Sequence, residues 1–297
     1  MLSLRNLRYF HMVARTGHFG RAAEACSITQ PALSMQIREL ETHLGAKLFE
    51  RTREGARLTE AGREALHHAD RILGAVADLE TQARRVRGPL SGPFRLGIIP
   101  SVAPYLLPRL LPGVMQRIPG ARLTLRETRT AILIEELLSG DLDAVIVSLP
   151  LDNPELAERP LMRDPFVLAV PAGSEFAAAD FATAEMLNSP DLLLLEDGHC
   201  FRDQALDVCR TLDASRLSSY GATSLSTLIQ LVANGQGVTL LPQLFVTAEA
   251  KADPRVKLLR FAPPAPSRMV GLAWRRTAGI ERDVDEIEAA VQDTLDL

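Results

Sequence analysis

The sequence predicts an α/β protein with an all-α N-terminal part, and three patterns support that class. Residues 1–58 contain short amphipathic helices separated by tight turns. A long helical segment with a narrow apolar seam follows them. From about residue 92 to the end, apolar runs of strand length alternate with helical periods, which is the rhythm of βαβ units.

Composition indicates an ordinary folded protein with more than one domain. The chain has 297 residues, of which 46% are apolar and 24% charged, and this length exceeds what one compact core accommodates. Its longest apolar runs, such as DAVIVSLPL, are too short to span a bilayer, and no basic-then-apolar leader opens it. We therefore expect a cytoplasmic protein with no membrane partner, in which thiols are kept reduced.

Charge is distributed unevenly along the chain. Residues 1–58 carry nine Lys and Arg against five Asp and Glu, a net charge of +4, whereas residues 59–90 are neutral and residues 91–297 carry −8. A basic head on an acidic body indicates that the head binds a polyanion.

The head, residues 1–58, is predicted to be a winged helix-turn-helix domain. A first helix runs from its N-cap Ser3 to Gly17. Two further helical pieces separate at Ser27–Ile28, and Pro31 falls in the first turn of the second piece, where its missing N–H costs nothing. The segment LFERTREGARLT is typical of a small hairpin, the wing. The buried stripe of the second piece is expected to comprise Leu33, Ile37, Leu40 and Leu44.

The opposite face of that second helical piece is polar. Gln30, Ser34 and Arg38 are spaced by four residues, and Gln and Arg form paired hydrogen bonds with adenine and guanine in a major groove. Arginines on the wing would bind phosphates without reading sequence. Each residue alone is better explained as solvated surface, but together they indicate DNA binding. The candidate DNA-binding residues are Thr29, Gln30, Pro31, Ser34, Arg38, Arg51 and Arg53.

Residues 59–87 are predicted to form one long helix that pairs with the same helix of a second copy. Small or apolar residues recur in alternating steps of three and four from Gly62 to Val86, which is a heptad seam. A helix that packs only on its own domain would need a wider apolar stripe. The candidate dimerisation residues are Ala65, Ala69, Ile72, Val76 and Leu79.

Residues 88–297 are predicted to form the α/β domain. Strands FRLGII, RLTLRE and DAVIVSL alternate with helices, which predicts a parallel sheet covered on both faces. A second set runs from FVLAVPAG through DLLLLED, a helix from about Phe201, SLSTLIQLVANG and VTLLP, before RMVGLAWR and a final helix. We expect subdomain I at about 92–163 with 269–297, and subdomain II at about 164–268.

The stretch ACSITQPALSMQIRELETHLGAKLFERT resembles the DNA-binding head of LysR-type transcriptional regulators. The resemblance implies an effector domain of two α/β subdomains like those of periplasmic binding proteins. It also implies three kinds of partner, namely double-stranded DNA at dyad-symmetric promoter sites, RNA polymerase, and further copies of the chain in homodimers and homotetramers. The segments LEDGHCFRDQALDVC, IPSVAPYLLP and RMVGLAWR resemble the peroxide-sensing branch of that family.

That resemblance implies redox sensing by the two cysteines of LEDGHCFRDQALDVC. Hydrogen peroxide would oxidise Cys200 to a sulfenic acid, Cys209 would resolve it to a disulfide, and a reductant of thioredoxin or glutaredoxin type would reset the pair. The context of Cys200 agrees, because a thiolate is stabilised where a helix begins. The resemblance assigns the peroxide pocket to Ser101, Thr130, His199 and Arg268, with Ser101 standing where these regulators commonly have Thr.

Three other functions explain less of the chain. A LysR-type regulator that binds a small metabolite between its subdomains would leave the cysteines incidental. A thiol peroxidase would leave the head unexplained, so we expect no enzyme. Cys200, Cys209 and His199 offer at most three ligands, and adjacent residues seldom hold one zinc, so we expect neither metal nor cofactor.

The third cysteine, Cys26, is expected to be a buried structural thiol.

Overall fold

A computed structural model describes residues 2–52, 55–85, 88–188, 192–196, 201, 204–206, 222–249 and 253–295. The chain divides into two compact units, one of Met1–Ala83 with Glu136–Asp141, the other of Arg84–Glu135 with Leu142–Leu297. Within the described ranges, no helix is both long and apolar enough to cross a membrane.

The first unit begins with the three helices of the predicted helix-turn-helix head, α1 (Leu4–Thr16), α2 (Phe19–Ala25) and α3 (Gln30–Leu44). Ser3 accepts a hydrogen bond from the backbone N–H of Asn6 in a capping box, and Gly17 ends α1 with a φ of 63°. Glycine adopts that left-handed conformation without a Cβ penalty. The side chain of Thr29 caps α3. The local sequence therefore determines where these helices begin and end.

The core of the head is formed by the apolar faces of α1, α2 and α3. Leu33, Ile37 and Leu40 are buried in it as predicted, but Leu44 is 46% exposed. Leu44 is the last residue of α3, and the chain turns away at Gly45. The buried members of this core include Leu7, Phe10, Val13, Ala22, Ala23, Leu48 and Phe49.

The wing is an antiparallel hairpin of β1 (Phe49–Thr52) and β2 (Gly55–Leu58). The buried carboxylate of Glu41 on α3 accepts hydrogen bonds from the N–H groups of Leu48 (2.9 Å) and Phe49 (3.4 Å) and from the Lys47 ammonium (2.7 Å). Burial raises the pKa of Glu41, but the hydrogen bonds outweigh burial and hold that pKa below its usual value. The start of the wing is therefore fixed by a charged carboxylate.

We expect Glu41→Gln to lower the free energy of unfolding by about 1–3 kcal/mol near pH 7, because an amide accepts these hydrogen bonds less strongly. A pKa that is lower in the folded chain stabilises it above the unfolded pKa. The stabilisation is lost as the pH falls through the folded value. Urea unfolding followed by circular dichroism should show the difference shrinking as the pH falls below the ordinary glutamate pKa of about 4.3 and vanishing below the lower folded pKa. Glu39→Gln, at an exposed position of α3, is the control, and an equal loss there would contradict the assignment.

The long helix α4 spans Glu60–Arg85. Its bounds lie within two residues of the predicted 59–87 at both ends. A Cβ on Gly62 would lie 2.1 Å from the carbonyl oxygen of Leu48, so only glycine allows α4 to pack this closely against the head.

The second unit is built on a seven-stranded sheet with the order β4-β3-β5-β9-β6-β7, in which β8 pairs with β6. Its strands are β3 (Pro93–Ile98), β4 (Arg122–Glu127), β5 (Ala144–Leu149), β6 (Leu156–Pro171), β7 (Thr239–Pro242), β8 (Val256–Arg260) and β9 (Ser267–Arg275). Its helices are α5 (Ala103–Arg117), α6 (Thr130–Leu138), α7 (Leu225–Ala233), α8 (Gln243–Glu249) and α9 (Glu281–Leu295).

The sheet is mixed: the three strands predicted to be parallel pair in that way, and antiparallel strands complete the sheet. Strand β3 pairs in parallel with β4 and β5, whereas β9 runs antiparallel to both β5 and β6. Strand β6 is longer than predicted. Its first part pairs with β9, and its second part pairs with β7 and β8. The two halves of the domain therefore share one sheet, and the subdomain boundaries near residues 163 and 269 stay a prediction.

Candidate functional site

The polar face of α3 is available to a partner. Gln30, Pro31 and Arg38 are exposed and Ser34 is half-buried. The N-cap Thr29, also exposed, accepts a hydrogen bond from the N–H of Ala32 at 3.4 Å. The structure thus brings five of the candidate DNA-binding residues onto the exposed start and outer face of one helix.

The wing is anchored to the end of α1. The N–H of Ala56 donates to the carbonyl oxygen of Gly17 at 2.7 Å. Gly55 has a φ of 144°, and a Cβ there would lie 2.2 Å from the same oxygen, so this approach requires glycine. Arg51 lies on β1, and Arg53 lies outside the described residues.

The five candidate dimerisation residues divide into two groups along α4. Ala69 is 1% exposed in the core of its own head, and Ala65 packs against that core. Ala69 is thus enclosed by its own chain, whereas Ala65 is half-buried and its interchain role stays a prediction. Ile72 and Leu79 are 41% and 69% exposed, and Val76 is half-buried. The apolar surface available to a second helix is therefore the C-terminal part of the seam.

In the second unit, the order of the strands determines where three of the predicted pocket residues lie. Ser101 lies three residues beyond the end of β3, and Thr130 lies three beyond the end of β4. Because β3 and β4 are parallel neighbours, their carboxyl ends lie at one edge of the sheet, where α/β domains commonly bind ligands. Arg268 is near the start of antiparallel β9, which places it at the corresponding end of β5.

Arg268 and Ser101 are in direct contact. The Arg268 Nη1 donates to Ser101 Oγ at 2.7 Å and its Nη2 donates to the Ser101 carbonyl oxygen at 2.9 Å. Arg268 also pairs with Asp164, since its Nε donates to Asp164 Oδ2 at 2.9 Å. The Arg268 and Asp164 side chains are each 1% exposed. A buried guanidinium is thus held between a carboxylate and a hydroxyl.

Phe201 connects this cluster to the segment that contains the candidate redox pair. The Arg268 Cζ lies 5.4 Å from the centre of the Phe201 ring, which is a cation–π distance. Phe201 also packs edge-on against Phe166 with ring centres 5.6 Å apart. Phe201 directly follows Cys200 in the sequence, whereas Cys200, His199 and Cys209 lie outside the described residues.

Thr130 has a buried hydroxyl oxygen that forms no hydrogen bond with any group in the described part of the chain. A buried polar atom without a partner is costly and calls for an explanation such as a bound ligand. Thr130 is the first residue of α6, which follows β4.

Cys26 is half-buried at the C-cap of α2, not fully buried as expected. Burial raises the pKa of its thiol. A raised pKa keeps the sulfur protonated, and the thiol form is the less reactive one.

Sequence reasoning missed Asp164 and Phe201. The available indication for Asp164 was an acidic residue just before the apolar strand FVLAV. Phe201 was recognised only as a helix start. Their contacts with Arg268 join residues more than sixty positions apart, and no local pattern encodes such contacts.

Comparisons with known proteins match both units. Residues 4–63 match the bacterial regulatory helix-turn-helix proteins of the lysR family, and residues 87–296 match the LysR substrate binding domain. The chain is 40% identical over 294 residues to a probable hydrogen peroxide-inducible genes activator of Streptomyces viridosporus, covering 99% of this chain and 94% of that one. It is 38% identical over 295 residues to the DNA-binding transcriptional dual regulator OxyR of Escherichia coli K12, covering 99% and 96%.

Two solved structures extend the similarity to three dimensions. A full-length OxyR of Pseudomonas aeruginosa with a cysteine-to-aspartate substitution has a TM-score of 0.75 and 34% identity, covering 98% of this chain and 95% of that one. A hydrogen peroxide-bound cysteine mutant of Corynebacterium glutamicum OxyR has a TM-score of 0.68 and 33% identity, covering 99% and 92%. The chain belongs to the LysR family of bacterial helix-turn-helix regulators, and within that family to the OxyR group.

Proposed function

We propose that this protein is a transcription regulator that senses hydrogen peroxide by oxidation of Cys200. The observation that carries the proposal is the buried Arg268 guanidinium, which contacts both Ser101 and the ring of the residue that follows Cys200. The unpartnered Thr130 hydroxyl near the same sheet edge adds a polar group that could hold a small polar ligand. Peroxide-inducible relatives similar over the full length support the same reading.

The chemistry requires two steps. The Cys200 thiolate attacks one peroxide oxygen, the O–O bond breaks, and a sulfenic acid and hydroxide form. The Cys209 thiol then attacks the sulfenic sulfur, which gives a disulfide and releases water. Arg268, Ser101, Thr130 and His199 are proposed to orient the peroxide and to stabilise the leaving hydroxide by donating hydrogen bonds.

The spacing of the two cysteines couples this chemistry to a conformational change. Were residues 201–209 helical throughout, Cys200 and Cys209 would be separated by roughly 13 Å along the axis. Residues 201 and 204–206 are helical, in agreement with that premise. A disulfide needs Cα atoms within about 7 Å, so its formation must unwind the helix. The unwound form would alter how paired chains engage promoter DNA and RNA polymerase, and a thioredoxin- or glutaredoxin-type reductant would reverse it.

The test is to treat the reduced full-length protein with one equivalent of peroxide and to count its free thiols. Because the chain has three cysteines, the wild type should fall from three free thiols to one and should change its promoter footprint. Cys200→Ser should keep both remaining thiols and an unchanged footprint. Cys26→Ser is the matched control and should respond like the wild type. A Cys200→Ser protein that still responds would instead favour a regulator controlled by a bound metabolite.

We also propose that α3 reads bases while the wing binds phosphates. Arg38→Ala should relax the preference for one base position per half-site, at a cost of about 1–3 kcal/mol for the preferred base. Arg53→Ala should weaken binding to all sequences alike and reduce the salt dependence by about one unit. Binding titrations on a set of single-base operator variants at several salt concentrations measure both effects. Identical profiles for the two variants would contradict this division of roles.

A further inference from the structure

We propose that Asp164 is a positioning residue for the reaction of Cys200 with peroxide, acting through Arg268 without touching the peroxide itself. The inference rests on the proposed function and adds to it a residue that neither the sequence pattern nor the resemblance pointed to. Asp164 on β6 lies directly opposite Arg268 on β9 in the strand register. The backbone therefore presents the two side chains to each other before any side-chain rotation.

The contacts of Arg268 divide between two edges of its guanidinium. The Nε–Nη2 edge contacts Asp164 Oδ2, with both nitrogen–oxygen distances 2.9 Å, while Nη1 and Nη2 donate to Ser101. A guanidinium is planar and its donors have a fixed geometry. Fixing the Nε edge therefore fixes the direction of Nη1 and the face that lies over Phe201.

The carboxylate of Asp164 is itself held from a third element. Its Oδ1 accepts a hydrogen bond from the N–H of Leu244, in the first turn of α8, at 2.9 Å. Rotation of the carboxylate would break either this bond or the bond to Arg268. The Nε edge of the guanidinium is thus held by β6, β9 and α8 together, while its face lies over Phe201.

The negative charge of Asp164 also neutralises the positive charge of Arg268. Arg268 is a fully buried cation, and a buried charge needs a counter-charge and hydrogen bonds. Asp164 supplies both, while Ser101 supplies only neutral acceptors. Because Ser101 Oγ accepts from Arg268, its own hydrogen is directed away from Arg268 and can be donated to a ligand. Loss of the Asp164 contact would therefore disturb the Ser101 donor as well as the cation.

The test is a double-mutant cycle on the second-order rate constant for oxidation of Cys200 by hydrogen peroxide. The rate is followed in the full-length protein by alkylation and mass spectrometry of the Cys200 peptide, and urea unfolding gives the folded fraction of each variant. Asp164→Asn should slow oxidation roughly 10- to 100-fold, as expected for misplaced reacting groups. Asp164→Asn/Arg268→Met should be no slower than Arg268→Met, because the two residues act as one unit.

Asp164→Glu separates positioning from general structural support. Glutamate keeps the negative charge that pairs with Arg268, and a cavity of about 240 Å³ adjoins Asp164 where the added methylene can be accommodated. This variant should recover most of the wild-type rate. If the Asp164→Asn single variant does not fold, the comparison of the double variant Asp164→Asn/Arg268→Met with Arg268→Met still tests the proposal.

Three results would overturn the proposal: a folded Asp164→Asn that reacts at the wild-type rate, a double variant slower than Arg268→Met, or a Glu variant as slow as the Asn variant. A wild-type protein whose Cys200 does not react with peroxide would instead overturn the proposed function. The two failures are therefore distinguishable in the same experiment.

Discussion

Arg268→Ala is expected to lower the free energy of unfolding of the second unit by about 3–5 kcal/mol, the range for removing one partner of a buried ion pair. The substitution leaves the Asp164 carboxylate buried beside Leu244 without its cation, and it removes both donors that reach Ser101. The chain contains one tryptophan, Trp274, which is buried on β9. Its fluorescence during urea unfolding therefore reports on this unit and not on the head.

The matched control for Arg268→Ala is Arg163→Ala. Arg163 is exposed, and it donates to Ser267 Oγ at 2.6 Å and to the Ala265 carbonyl oxygen at 3.2 Å. Removing exposed hydrogen bonds of this kind should cost no more than about 1 kcal/mol. Equal shifts of the Trp274 unfolding curve for the two variants would show that the buried Arg268–Asp164 pair contributes no more to the free energy of unfolding than exposed hydrogen bonds do.

Leu79→Asp is expected to give a monomer with an affinity for the full dyad site reduced on the order of 100- to 10,000-fold, because only paired heads engage both half-sites at once. Leu79 is 69% exposed on α4 and Ile72 is 41% exposed, so this surface is apolar and unoccupied by its own chain in the described residues. A carboxylate in an apolar seam between two helices would be buried without a partner. Sedimentation velocity should show the monomer. Binding to a single half-site should be unchanged, because the head itself stays folded.

His67→Asp provides the control for adding a carboxylate to α4. His67 is exposed on the same helix and lies roughly 120° around its axis from Leu79. This variant should remain a dimer with near wild-type affinity. If Leu79→Asp still associates through α4, the heptad interpretation fails.

The helices of the head could be predicted from the sequence because short-range rules determine them. A capping Ser3, a left-handed Gly17 and a capping Thr29 fix the helix ends, and the apolar period of α3 fixes its buried face. The role of Ala69 was not predictable in the same way. A small residue in a seam fits either an interchain or an intrachain contact, and only the packing of α4 on its own head decided between them.

The sheet was predicted less well because its strands pair over long distances. The segment Leu156–Pro165 contains charged residues and two prolines, so its composition did not indicate a strand, yet it pairs with β9 along its length. The sequence predicted parallel pairing for β3, β4 and β5, which the structure has, but it predicted no pairing for the later strands. The antiparallel insertion of β9 between β5 and β6 is a choice of topology that a local pattern does not contain.

By itself, the sequence determined the helix-turn-helix head, the long helix and the α/β rhythm. Through resemblance, it also indicated the residues proposed to contact peroxide. Only the tertiary structure decided which of these residues touch. It placed Arg268 against Ser101, and it added Asp164 and Phe201 from β6 and from the residue after Cys200. The physical reason is that a buried charge must be neutralised by groups close in space, whereas the sequence records only which groups are close along the chain.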